Sequence, residues 1–553
     1  MMDNKVQDKE FVSYFADKLF NPKTTITNPN LFSVTRREDL TQQLYENYLS
    51  IIFNNCITEL KCTLDATNLN FCNTRTINIA SDSSESYVEK PTDEEAEFYP
   101  YQLYANRDKT KFYYTWYEST IAPPGAKPTF NRYICEILTT PVESYRINFN
   151  IPAGELELCD FGRLDQIQHL RSIYKLFTLA SRYYGIDYDP VKFGDYFTRL
   201  EKEAANSRDR RIKIITKIIE PTMEVSGKWV SWPTERAMLA EAEAAVSKLN
   251  YSQQNAVKGI NSTLEMIQGP PGTGKSTTIS KIIETRLWNQ LGARPPQYGE
   301  PIEHLFVIVT AKANEAIISI LDKLASNEKF KENILVVASS KWLVKNPSHL
   351  AKVKQYLYDP NATYDDGSTQ GNIPRAAVRW SNADRDSNRH PLREKLSNIK
   401  IILSTVGMIH NVTQVIDILN ENRNPAIFKT LFIINTVIVD EAGQLTESEA
   451  LYLIERTSPD NLLMVGDQKQ LPAFSDCTEN IDGTGNHTPE HSQLLQKNLD
   501  AESYNIINTS VFERCFTICE TSYNPPPYRS PIWMLNEQYR MPSKLGNVVS
   551  TLF

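Results

Sequence analysis

The rhythm of hydrophobic and polar positions changes three times along the chain. Over residues 1–84 the apolar positions recur at mixed, mainly helical spacings, as in Phe11-Val12-Ser13-Tyr14-Phe15 and Leu44-Tyr45-Glu46-Asn47-Tyr48-Leu49. Between 85 and 160 they shorten to runs of aromatic and β-branched residues such as Lys111-Phe112-Tyr113-Tyr114-Thr115-Trp116-Tyr117, separated by turn signals such as Pro123-Pro124-Gly125. That pattern predicts a small antiparallel sheet or barrel. Residues 161–248 return to helical spacing and carry a basic stretch, Arg208-Asp209-Arg210-Arg211-Ile212-Lys213, whose ordinary explanation is a solvated helix face. From 249 to 530 short apolar strands alternate with amphipathic helices, which predicts an α/β domain on a parallel sheet. Two long polar stretches, Asp359 to Pro391 and Ser475 to Ser503, interrupt that alternation.

Length and composition narrow the class. A chain of 553 residues is long enough for roughly three to four domains. Its 41% hydrophobic and 23% charged residues are those of an ordinary globular protein, and no apolar run approaches the ~20 residues of a membrane span. The polar N-terminus lacks the apolar stretch of a signal peptide. The expectation is therefore a cytoplasmic protein, with the nucleus as alternative and no membrane partner. Net charge is −8, from 59 basic and 67 acidic residues, so any nucleic acid must follow a local basic track. Eight cysteines without one Cys-x-x-Cys pair argue against a zinc site and for reduced thiols.

Two motifs carry chemistry. The predicted strand 263–268 runs into Gly269-Pro270-Pro271-Gly272-Thr273-Gly274-Lys275-Ser276 and then a helix from Thr277. This is G-x-x-x-x-G-K-S in its required strand–loop–helix context. Glycines let backbone N–H groups wrap phosphate oxygens, and the helix N-terminus adds its dipole. Lys275 supplies charge to the β- and γ-phosphates of ATP, and the Ser276 hydroxyl ligates Mg²⁺. The second motif, Thr436-Val437-Ile438-Val439-Asp440-Glu441-Ala442, delivers two carboxylates at the C-terminal end of a buried strand, where ligands sit in open α/β sheets. Asp440 is the second candidate Mg²⁺ holder, and Glu441 the candidate base for the attacking water.

Asp440-Glu441-Ala442-Gly443-Gln444 also resembles motif II of superfamily 1 helicases, in the branch of senataxin and the nonsense-mediated-decay helicase. Further segments resemble that branch in order: Leu249-Asn250-Tyr251-Ser252-Gln253 its Q motif, 307–314 motif Ia, and Leu403-Ser404-Thr405-Val406-Gly407 the segment before motif II. Gly466-Asp467-Gln468-Lys469-Gln470-Leu471-Pro472 resembles motif III, Ser510-Val511-Phe512-Glu513-Arg514 the helix after it, and Gln538-Tyr539-Arg540-Met541 motif IV. The resemblance covers roughly 249–553. It implies a P-loop, RecA-like first motor domain over 249–530, with a polar insertion near 340–395, and the start of a second motor domain over 531–553. It also implies an accessory barrel over 85–160, a helical connector over 161–248 and a helical region over 1–84.

By resemblance, Gln253 contacts adenine, Tyr539 stacks on it, Gln470 senses the γ-phosphate, and Arg540 reaches the γ-phosphate from the second domain. Arg375, Arg379, Arg385, Arg389 and Arg393 of the insertion become candidate strand contacts. The implied partner is single-stranded nucleic acid, RNA before DNA. The pattern departs at 311–314, Ala-Lys-Ala-Asn where the family favours Ala-Pro-Ser-Asn, and at Pro542-Ser543 where it shows His-Pro. No motif V or VI occurs, so the expectation is a motor interrupted within its second domain and completed in cis or in trans. The competing expectation is an ATP-binding regulatory or scaffold protein of helicase descent; a small-molecule P-loop kinase would not need the motif III and IV segments.

Overall fold

A computed structural model describes residues 235–294, 302–361, 391–421, 430–473, 509–521 and 530–539, together with helical stretches at 48–56, 165–185 and 210–219, the strands named below, and a few isolated positions. The chain divides into two units. The first holds a four-stranded antiparallel sheet made of β1 (Tyr101–Asn106), β2 (Phe112–Ser119), β3 (Phe130–Ile137) and β4 (Leu156–Leu158), in the order β3-β2-β1-β4. Its register sets Trp116 opposite Tyr101 on one side and Tyr133 on the other. Among the described residues this sheet is open, with β3 and β4 at its edges, and no strand pair closes it into a barrel.

The second unit is built on an eight-stranded sheet. Its strands are β5 (Leu264–Gln268), β6 (Gly292–Arg294), β7 (Ile302–Ala311), β8 (Ile334–Val337), β9 (Ile401–Thr405), β10 (Thr430–Asp440), β11 (Asn461–Gly466) and β12 (Ile532–Met534). They run in the order β12-β5-β11-β10-β7-β9-β8, every neighbour parallel, while the short β6 pairs antiparallel with β7. β5 and β11 are buried at every position and β10 at all but its first, which is why they read as continuous apolar runs. Parallel neighbours require crossovers, and these supply the helices that cover the faces. This is the α/β, P-loop sheet architecture that the alternating pattern predicts.

The helices that matter for the site are α1 (Tyr251–Gly259), α2 (Lys275–Ile282), α3 (Glu447–Thr457) and α4 (Val511–Thr521). α1 and α3 each open on a capping box, Asn250 with Gln253 and Thr446 with Glu449. A π-helical turn, Ile283–Leu287, follows α2 and aims the buried Arg286 at the end of α1. There its guanidinium donates to the carbonyls of Val257 at 3.2 Å, Lys258 at 2.7 Å and Ile260. One side chain thus satisfies the orphan carbonyls of one helix and fixes it to the other.

Two expected placements differ in part. Of 531–553, expected to open a second domain, the stretch 540–553 lies outside the described residues, while β12 hydrogen-bonds to β5 and forms the edge of this same sheet. The reason is a long-range pairing: Met266 N–H donates to Pro531 O and Leu535 N–H to Gln268 O, both 2.8 Å, and the Leu535 side chain is buried in the core beside α1 and β5. Arg393, a candidate strand contact, is instead buried. It donates to Leu419 O at 2.7 Å and Thr430 O at 3.3 Å and lies over the Phe432 ring. Arg375, Arg379, Arg385, Arg389 and Arg540 lie outside the described residues.

Behind α3 sits a fully buried ion pair. Arg514 of α4 (0% exposed side chain) bonds Glu447 of α3 (3%) and also donates to Ile218 O at 3.0 Å, in the helix through 210–219. Removing the cation strands a buried carboxylate. Arg514→Met is expected to destabilise this unit by roughly 3–5 kcal/mol, and Arg514→Met with Glu447→Leu to recover most of that loss. Urea unfolding of the three proteins checks this; equal losses in the single and double variants would refute it.

Candidate nucleotide site

The site forms where β5, β10 and β11 end. The loop 269–274 turns at Gly272 (φ 81°) and Gly274 (φ 85°), both in the left-handed region. A Cβ at Gly274 would also lie 2.5 Å from Gln253 Nε2, so only glycine turns here. The loop carbonyls are bound both from within the loop and from outside it. Pro270 O accepts from Thr273 Oγ1 at 2.8 Å, Gly272 O from Tyr539 N–H at 2.9 Å, and Thr273 O from Gln253 Nε2 at 2.8 Å. The first-turn N–H groups of α2, from Lys275 through Ser276 and Thr277, have no partner within the helix, whose N-terminus directly follows the loop.

Close approach pins the three strand ends together. Gly269 N–H donates to Gly466 O at 2.9 Å. A Cβ on Gly443 would meet Asp467 O at 2.7 Å, and one on Gly466 would meet Gly443 N at 2.8 Å. The loop after β10 and the loop after β11 thus touch backbone to backbone. The buried Asp467 then organises the second loop: its carboxylate accepts from Lys469 N–H at 3.1 Å and from Gln470 Nε2 at 2.9 Å. The Gln470 amide is oriented by this bond. Asp467 stands inside the motif III segment, but nothing local in the sequence marks it as the residue that orients Gln470.

The charged centre is Lys275, Asp440 and Glu441. Lys275 Nζ lies 3.4 Å from Glu441 Oε1 and 3.5 Å from Oε2. Glu441 adopts φ 52°, in the left-handed region, a strain of about 1–3 kcal/mol for a residue with a side chain. Asp440 is 3% exposed and accepts the Glu441 N–H at 3.0 Å. Burial first, and then the Glu441 charge, push its carboxyl from 3.8 up to about 7; Lys275 and the Glu441 N–H pull the other way. Such a carboxylate is a fit for a divalent cation, and with the Ser276 hydroxyl the donors are hard oxygens of the kind Mg²⁺ takes.

The Asp440 shift makes a stability statement. The folded chain keeps this proton where the unfolded chain has lost it, so the contribution is complete below pH ~4 and is lost as pH rises through about 7. Without Mg²⁺, Asp440→Asn should match the wild type near pH 4 and exceed it at pH 8 by up to roughly 4 kcal/mol. Melting curves at both values check this, and equal midpoints at pH 8 would contradict it.

Gln253, the expected adenine contact, sits at the start of α1 against the phosphate loop. Its carbonyl accepts Asn250 N–H at 3.2 Å and its amide donates to Thr273 O, so both ends brace α1 and the phosphate loop. Tyr539, 65% exposed, lies beside that loop through its own N–H, and its hydroxyl accepts from Asn250 Nδ2 at 2.9 Å and donates to Glu537 at 3.2 Å. Among the described residues no group of three or more His, Cys, Asp and Glu forms a separate metal cluster, and no helix is long and apolar enough to cross a membrane.

Residues 253–476 match the profile of the AAA domain family. That stretch is similar to AAA domains, and the chain is similar to proteins named as helicases. Three Saccharomyces cerevisiae relatives support this. "Putative ATP-dependent RNA helicase ECM32" is 25% identical over 301 residues, 54% of this chain and 22% of that protein. "DNA polymerase alpha-associated DNA helicase A" is 22% identical over 316 residues, 54% of this chain and 39% of that protein. "ATP-dependent helicase NAM7" is 27% identical over 242 residues, 41% of this chain and 20% of that protein. The chain thus spans between a fifth and two fifths of the length of these relatives.

Proposed function

We propose that this chain supplies the ATP-binding and hydrolysing part of a nucleic-acid helicase or translocase, in the senataxin and nonsense-mediated-decay helicase branch of superfamily 1, with single-stranded RNA as the preferred track. The observation that carries this reading is the apposition of Lys275, Asp440 and Glu441 at the ends of β5 and β10, with the phosphate loop pinned to β11.

In this reading the N–H groups at the start of α2 and Lys275 bind the β- and γ-phosphates. Ser276 and Asp440 would hold Mg²⁺, which neutralises charge on the phosphate oxygens. Glu441 takes the proton of the attacking water. Gln470, oriented by Asp467, faces the γ-phosphate. Tyr539 stacks on adenine, a role its exposure beside the phosphate loop suits. Gln253 acts on the base indirectly, by bracing α1 against the loop. A second motor domain, in cis or in trans, completes the cleft and brings Arg540 to the γ-phosphate. The two relatives named for a nucleic acid divide between RNA and DNA; the branch resemblance favours RNA.

The test is steady-state ATP hydrolysis with no nucleic acid, with single-stranded RNA and with single-stranded DNA. Stimulation by RNA above DNA is the expected result. Equal stimulation would remove the RNA preference, and ATP binding without stimulation by either would support a regulatory, non-unwinding protein instead.

A further inference from the structure

The segment 531–539 is tied to the α/β unit along its whole length. Pro531 O and Leu535 N–H complete the ladder with β5, Asn536 N–H donates to Ser252 Oγ at 3.4 Å, and Tyr539 N–H donates to Gly272 O at 2.9 Å. In the middle stands Trp533. Its indole N–H donates to Glu265 Oε2 at 2.9 Å. Glu265 is itself fully buried, and its other oxygen accepts the N–H groups of Asn261 and Ser262 at 2.7 Å each. The far edge of the indole lies over Gly259, the last residue of α1: a Cβ there would fall 1.9 Å from Trp533 Cη2 and 2.4 Å from Cζ2. The missing side chain is the notch that seats the ring.

The same helix whose C-terminus receives the indole carries Asn250 at its N-cap, and Asn250 binds the Tyr539 hydroxyl. Tyr539 is thus located at three points: its N–H on the phosphate loop, its hydroxyl on the α1 cap, and its chain six residues from the Trp533 anchor. A large, exposed ring held this way is pre-organised, which lowers the ordering cost of stacking on a flat ligand.

We propose that Trp533, seated in the Gly259 notch, is a positioning residue for Tyr539, and that the strap 531–539 sets the site's ability to discriminate a base-bearing triphosphate from a bare one. This rests on the nucleotide reading above. It makes the base-binding wall a part of the α/β unit itself, fixed to the same strand that feeds the phosphate loop.

The experiment titrates Mg-ATP and Mg-tripolyphosphate calorimetrically into the wild-type chain, Trp533→Leu, Tyr539→Ala and the double variant. Trp533→Leu should weaken ATP by roughly tenfold, within the range that stacking on one aromatic side chain supplies, and leave tripolyphosphate unchanged. The double variant should lose no more than Tyr539→Ala alone, because the anchor acts only through the ring. Trp533→Phe, which fills the notch without the N–H, should keep most of the discrimination. Gly259→Ala, which evicts the ring from the other side, should reproduce the Trp533→Leu loss and serves where that variant folds poorly. An unchanged ratio of the two ligands in both Trp533→Leu and Gly259→Ala, an equal loss of both ligands, or multiplicative losses in the double variant would overturn the proposal. If Lys275→Ala binds both ligands as well as the wild type does, the nucleotide reading itself fails, and this proposal with it.

Discussion

Lys275→Ala is expected to lower Mg-ATP affinity by roughly 10²-fold or more, the size of effect seen when one member of a desolvated charge pair is truncated. Lys275 is the first residue of α2, and only 10% of its side chain is exposed. Its ammonium is therefore fixed at the mouth of the phosphate loop and cannot be replaced by a neighbour. Its partner at the site is Glu441, 3.4 Å away. The alanine variant leaves Glu441 and Asp440 facing an incoming polyanion with no compensating cation, so repulsion adds to the lost attraction. The fold should survive, because the helix start and the glycine turns do not depend on the lysine head group. Calorimetric titration of both proteins, with melting curves beside it, is the measurement. Equal affinities would show that the ligand does not enter this loop.

Much of this site can be read from the chain because its parts are local. Gly269 to Ser276 is one contiguous loop whose glycine spacing, lysine and flanking apolar strand are all present within about fifteen residues. Asp440 and Glu441 follow an apolar run that is buried at nearly every position. What the chain does not announce is long-range. Gln253 and Thr273 are twenty positions apart, and nothing in either says that the glutamine amide is taken by a loop carbonyl. Trp533 and Glu265 are 268 apart, and the place of 531–534 as an edge strand depends on that pairing. A resemblance that opens the second motor domain around motif IV sets the boundary before β12, while hydrogen bonds place β12 beside β5. Arg393 is a related case. An arginine in a polar stretch reads as a surface cation, yet two carbonyls and the Phe432 ring absorb it in the interior.

Glu441→Gln is expected to separate binding from chemistry. The amide has the shape of the carboxylate and meets the same left-handed backbone at φ 52°, so the loop should keep its form. Binding should be equal or tighter, for two reasons. Lys275 loses the carboxylate that it faces at 3.4 Å and turns its full charge to phosphate. Asp440 loses the neighbouring negative charge that, after burial, does most to raise its carboxyl to about 7. With that charge gone its proton is released more readily, and the ionised form that suits a divalent cation gains population near neutral pH. Turnover moves the other way, because an amide cannot accept a proton from water. The expected loss is a factor on the order of 10²–10⁴, the usual contribution of a positioned general base. Single-cycle hydrolysis at saturating Mg-ATP, with and without single-stranded RNA, reads the chemical step, and a calorimetric titration reads the affinity. Undiminished single-cycle hydrolysis would rule Glu441 out as the base. Weakened binding with undiminished hydrolysis per bound ATP would assign it instead to holding Lys275 in place.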